Sequence, residues 1–196
     1  MEKKHQIFES MDENSGFLTY QQVLEKELPY KSLLNMVSEE QVVVEEKGLY
    51  RLPDTYLDEW FVLQHRFSKG IYSLDTALWL HGLTLTVPFE MSMSFPYGTN
   101  TKNIKEGGVR PVILRSNYET GIVELERLPG QVVRVYELER TLVECLRPIY
   151  HIDIQVVAPA FQAYFKSGTI KLSKLFQYAK IFRVEKKLQS YLEVLQ

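Results

Sequence analysis

The chain has 196 residues, 45% hydrophobic, 24% charged and 12% aromatic, with a net charge of −2; that much apolar surface offsets chain entropy, excludes a disordered segment and fits one large domain or two small ones. The single cysteine, Cys145, excludes an internal disulfide framework and a multi-cysteine zinc site. No apolar run approaches the roughly 20 residues of a bilayer-spanning helix, and Glu2 to Gln6 carry no apolar signal core, so a reducing cytoplasm and no membrane partner are expected.

In chain order, Ile7, Phe8 and Met11 lie on one face of a short helix that ends at the turn residues Asp12 to Gly16. Thr19 followed by Gln22 has the spacing of a capping box and opens a second helix through Val23, Leu24 and Leu28. Pro29 stops it and suits the first turn of a third helix, in which Leu33, Leu34 and Val37 repeat at helical spacing. Gln41 to Glu45 is then rich in β-branched residues. A turn at Glu46-Lys47-Gly48 leads into a second strand, Leu49 to Leu52, closed by Pro53. Three helices and a hairpin in this order predict a winged helix-turn-helix over residues 1–53.

A recognition helix buries one face and offers polar side chains to the major groove with the other. Lys31 and Asn35 lie opposite the leucines, with Ser32 beside them and Tyr30 at the helix start. Lysine suits phosphate or guanine, asparagine suits adenine, and tyrosine and serine suit phosphate. Lys47 at the hairpin tip and Arg51 on the returning strand are expected to meet backbone or minor groove, and Lys3 and Lys4 to add phosphate contacts. Against this, residues 1–53 hold six basic and ten acidic side chains, a net of −4, whereas residues 171–196 hold six basic and two acidic, a net of +4. Lys186 and Lys187 in that basic segment are therefore expected to supply further phosphate contacts.

The remaining residues, 54–196, read as a second, α+β domain. A linker helix is expected within 54–70, then a helix over Ser73 to Gly82. Strands are expected at Phe89 to Phe95, Arg110 to Arg115, Gly121 to Leu125 and Gln131 to Tyr136. Helices follow at Leu138 to Leu146, Ile152 to Phe165, Lys171 to Phe182 and Val184 to Leu195. A mixed sheet with C-terminal helices is the expected fold. The four histidines are scattered without metal-ligand spacing, and no nucleophile elbow, phosphate loop or dinucleotide fingerprint occurs. Cys145 falls at helical spacing with Leu142 and Leu146, as a core residue does. Glu139, Arg140 and Glu144 have the spacing of ion pairs on a helix surface. These features predict neither an enzyme nor a cofactor.

Four segments resemble AbiEi-type abortive-infection antitoxins. Gly48-Leu49-Tyr50-Arg51-Leu52-Pro53 is similar to their "GxYxLP" wing end, and Ser73 to Leu83 to the first helix of their C-terminal domain. Glu139-Arg140-Thr141-Leu142-Val143-Glu144 resembles their "ERTLVD" segment with Glu for the final Asp, and Tyr191 to Leu195 resembles their terminal helix. The resemblance implies a type IV toxin–antitoxin system. Its antitoxin represses its own promoter by binding inverted repeats in double-stranded DNA. Its C-terminal domain opposes a nucleotidyltransferase-like toxin without a stable complex, and Asp75, Arg140 and Glu144 are the residues it places in that function. The alternative is a protein-interaction module that neutralises its partner by direct binding.

Overall fold

The computed structural model describes residues 2–195, and the chain is α+β. Its contacts divide it into two compact units, residues 1–68 with 125–133 and residues 69–124 with 134–196.

The first unit runs α1 (Glu2–Glu13), β1 (Phe17–Thr19), α2 (Tyr20–Glu25), α3 (Tyr30–Ser38), β2 (Val43–Glu46), β3 (Leu49–Arg51) and α4 (Glu59–Arg66). Ile7 and Met11 of α1 are buried with Val23, Leu28, Leu33, Met36 and Val42 in one apolar core. The Thr19 capping box forms as expected: its side chain accepts from the Gln22 backbone N–H while Gln22 accepts from the Thr19 N–H at 2.8 Å. Phe17 and Leu18, which the sequence assigns to no element, and Thr19, expected only as a helix cap, form a strand. β1 pairs antiparallel with β3, and β3 pairs with β2, giving the order β1-β3-β2. Three residues are too few to show period-two alternation, and Leu49 to Arg51 supply their hydrogen bonds from some thirty residues away. Gly48 turns the hairpin with φ 76°, where a non-glycine residue is strained. This helical region is compatible with a winged helix-turn-helix.

Asp58 caps α4 by accepting from the Trp60 N–H at 2.9 Å and pairs with Arg127 at 3.2 Å. Gln131 accepts the Asp58 N–H at 2.7 Å and donates to the Tyr56 carbonyl at 3.1 Å. Residues 54–58, expected to begin the helix, lie outside it: Asp54 is in a turn, and Asp58 is the cap of a helix that starts at Glu59.

The second unit contains β4 (Ile71–Tyr72), α5 (Leu74–Leu80), β5 (Met91–Pro96), α6 (Lys102–Glu106) and β6 (Val109–Leu114), then the hairpin strands β7 (Ile122–Leu128) and β8 (Gln131–Tyr136), whose outer residues count with the first unit. The sheet is mixed, in the order β6-β5-β4-β8-β7: β5 is parallel to β6, β4 parallel to β8 and β4 antiparallel to β5. Helices α7 (Leu138–Cys145), α8 (Ile154–Lys166), α9 (Leu172–Phe182) and α10 (Glu185–Leu195) follow, with a 3-10 turn at Pro148–Tyr150 between α7 and α8. Among the described residues no helix is long and apolar enough to cross a membrane.

Helix α7 differs from its expected role as a surface helix. Glu139 to Cys145 are all buried, because α5, α8 and α9 pack around it. Its charged residues therefore face partners rather than water. Arg140 is fully buried, with Nε 3.4 Å from Glu144 Oε2 and Nη1 donating to the Asn117 carbonyl at 2.6 Å and to the Thr120 carbonyl. Glu139 accepts from the Tyr164 hydroxyl at 2.9 Å. At the helix start Glu137 accepts from Tyr178 at 2.7 Å and from Lys174 at 2.5 Å. Cys145 sits with Leu142, Leu146 and Phe161 in the apolar core of the second unit.

Candidate nucleic-acid interface

Helix α3 is amphipathic, but its buried stripe is Leu33 and Met36 with Val37 half-buried. Leu34, expected to face inward, is exposed, and Met36 takes the inner position. A stripe at Leu33, Met36 and Val37 follows the i, i+3, i+4 rule as well as the expected one. What remains outward is Tyr30, Lys31, Leu34, Asn35 and Ser38. Ser32 is half-buried, and the Ser38 hydroxyl donates back to the Asn35 carbonyl at 2.7 Å. Lys31 and Asn35 thus lie on one open face, one helical turn apart.

Tyr30 is only partly open. Its hydroxyl lies 3.2 Å from that of Tyr50 on β3, and its ring meets Tyr20 edge-on at 5.3 Å and Tyr50 at 6.5 Å. Burial, and then the hydrogen bond with Tyr30, push the Tyr50 phenol up to about 12. Tyr20, Tyr30 and Tyr50 thereby tie the start of α3 to the hairpin. Beside them lies a cleft of about 530 Å³, lined also by Lys47, Gly48 and His65. The His65 ring nitrogen is 3.1 Å from the Lys47 carbonyl. Tyr20 and His65 carry no periodic signal that marks them in the sequence; the fold brings them to the hairpin turn.

The basic residues divide into two groups. Lys3, Lys31, Lys47 and Lys186 are exposed. The others are engaged: Lys4 pairs with Glu39, which removes one of the two acids at the end of α3. Arg51 donates to Glu45 at 2.6 Å and to the carbonyls of Leu52 and Pro53 at 3.2 and 2.9 Å. Lys187, in the second unit, donates to the Leu146 carbonyl at 2.9 Å. Arg66, on α4, pairs with Glu46. These pairs reduce the acidity of the hairpin and of the α3 terminus.

No protein-family model matches the chain, and no curated protein does. Its fold is similar to that in the crystal structure of the RV2827C protein from Mycobacterium tuberculosis, with a TM-score of 0.57 and 11% identity, over 92% of this chain and 72% of that one. At that identity the likeness shows the fold alone.

The second-unit residues that the family resemblance singles out are placed differently from the basic face. Asp75 is half-buried on α5, accepting from the Ser92 hydroxyl at 3.0 Å and the Thr76 N–H at 3.1 Å. Arg140 and Glu144 are inside the core. The burial of Glu144 pushes its carboxyl up despite the Arg140 and Arg147 charges beside it. Burial, followed by the Asp75 and Glu144 charges, holds the Cys145 thiol well above its ordinary range. Among the described residues no three His, Cys, Asp or Glu side chains gather as a metal site.

Proposed function

We propose that the chain is a cytoplasmic DNA-binding autorepressor and the antitoxin of a type IV toxin–antitoxin pair, of the AbiEi kind. The observation that carries the DNA-binding half is the face of α3, where Lys31 and Asn35 are exposed opposite buried Leu33 and Met36. A groove-reading helix needs this arrangement. The hairpin turn supplies Lys47 beside it, as a wing does, and Lys3 adds an exposed cation for phosphate. Repression is steric: copies of the protein on inverted repeats in its own promoter exclude polymerase.

The antitoxin half rests on the four segments similar to AbiEi-type proteins. Its partner is a nucleotidyltransferase-like toxin, opposed without a stable complex. Arg140 and Glu144 then act by holding the second unit folded rather than by touching the toxin, since both are buried. A second reading, a module that binds its partner protein directly, draws on the acidic balance of residues 1–53 and on the ion pairs that occupy Lys4 and Arg51.

Gel shift of the full chain on its own upstream DNA, against scrambled DNA of equal length, decides between them. Preferential retardation of the upstream DNA is expected. Equal affinity for both, together with co-purification of the neighbouring gene product, would instead establish the protein-binding reading.

A further inference from the structure

A second cleft, of about 550 Å³, lies within the second unit along β6, the edge strand of the five-stranded sheet. That size is in the range of small-molecule sites. Arg110 and Arg115 stand at the two ends of this strand segment, and Arg147 faces them from the start of the 3-10 turn. Among the described residues its lining holds three guanidinium groups and no carboxylate. Ile149, Tyr150 and Phe182 form an apolar and aromatic wall opposite β6.

Each arginine is held by contacts that leave donors over. Arg110 gives one N–H to the Tyr150 carbonyl at 2.7 Å. Arg147 gives one to the Tyr150 hydroxyl at 2.9 Å and packs over the Phe182 ring at 5.4 Å. Glu144, behind it at 3.8 Å, offsets part of its charge but is itself shared with buried Arg140. Arg115 is exposed, 5.1 Å above the Tyr97 ring. A guanidinium carries five donors in a planar fork that fits phosphate oxygens two at a time. A peptide adding to the open edge of β6 is disfavoured, because mid-strand Pro111 has no N–H to give there.

From this geometry we infer that the cleft binds a nucleotide bearing two or more phosphates. The three arginines take the phosphates, and the base lies against exposed Ile149, since Arg147 already covers the Tyr150 and Phe182 rings at 5.0 and 5.4 Å. Binding alone is assigned; no chemical step is. The site is independent of DNA contact by the first unit, so either can fail without the other.

The test is calorimetric titration of the full chain with ATP and GTP, with adenosine, inorganic pyrophosphate and a short single-stranded RNA as comparison probes. Saturable binding of a nucleoside triphosphate is expected, tighter than both adenosine and pyrophosphate. Arg115→Ala and Arg147→Lys are each expected to weaken it about tenfold, the loss of a charge-assisted hydrogen bond. Lys180→Ala, on α9 outside the cleft, is expected to leave it unchanged. Arg115 touches only an exposed ring, so its loss leaves the fold intact; Arg147→Lys keeps the charge and tests the fork. No triphosphate binding up to about 1 mM, binding indifferent to both arginine substitutions, pyrophosphate as tight as the triphosphates, or RNA tighter than either would each overturn the assignment.

Discussion

The Arg140 guanidinium carbon lies 3.3 Å from the centre of the Tyr136 ring, and the two residues are joined further through the backbone that turns from β8 into α7. The Tyr136 hydroxyl donates to the Tyr118 carbonyl at 2.8 Å, while Arg140 holds the carbonyls of Asn117 and Thr120 in the same loop. Gly121 closes that loop at φ 70°, and a Cβ there would meet the Arg140 side chain at 3.3 Å. A cation, a ring and one loop therefore lock together at the centre of the second unit. Cation–π contact and hydrogen bonds offset the burial of charge that Glu144 alone would not balance.

Arg140→Ala should cost on the order of 3–5 kcal/mol of stability, because buried Glu144 keeps only the longer contact to Arg147 at 3.8 Å and the Asn117 and Thr120 carbonyls lose their donor. Arg140→Met with Glu144→Leu should recover much of that loss. Denaturant unfolding measures both, and a single-variant cost under about 1 kcal/mol would show that the network does not hold the unit together.

His81 sets a pH dependence. Its ring nitrogen Nε2 donates to the Tyr136 carbonyl at 2.7 Å, and burial lowers its pKa from 6.5 in spite of that bond and the Glu139 charge. The unfolded chain then binds the proton first, so stability is present above pH 6.5 and is lost as pH falls through the folded value. The midpoint of thermal unfolding should therefore drop between pH 7 and pH 5. His81→Gln should flatten that part of the profile. An equal slope in the variant would assign the effect to another group.

Lys31→Ala and Asn35→Ala should each weaken specific operator binding by about 1–3 kcal/mol while leaving thermal stability unchanged, since both side chains are on the open face of α3. Loss of affinity for scrambled DNA alone would mean that they touch phosphate and read no base. Normal operator affinity in both variants would place the contact surface on another helix.

Charge reversal at Lys186 and Lys187 should flatten the salt dependence of DNA binding. Each phosphate contact contributes a slope of about −0.9 in log affinity against log salt. Lys187 already serves the Leu146 carbonyl, so the larger change is expected from Lys186. Titrations at several salt concentrations read it directly, and an unaltered slope rules α10 out of the interface.

Gly48→Ala should destabilise the hairpin by roughly 1 kcal/mol or more, because φ 76° is costly for alanine and the added methyl would lie 3.3 Å from the Tyr20 Cβ. Comparison of unfolding midpoints checks it; an unchanged midpoint would mean that the turn rearranges freely.

The sequence by itself determined the features that local chemistry dictates. The Thr19 capping box, the glycine turn at Gly48, the β8 span Gln131–Tyr136 and the helices of the C-terminal segment are each written within a few consecutive residues. So is the placing of Lys31 and Asn35 on one face of α3, which depends only on helical periodicity. Tertiary structure alone decided what non-local partners supply. Phe17 to Thr19 become a strand because β3 lies beside them, Leu34 turns outward because Met36 fills the core, and Arg140 and Glu144 leave the surface because α5, α8 and α9 pack on α7. The gathering of Arg110, Arg115 and Arg147 around one cleft belongs to this second class. Spacing along the chain fixes which side chains share a face of one element; only packing determines whether that face meets water, another helix or a cavity.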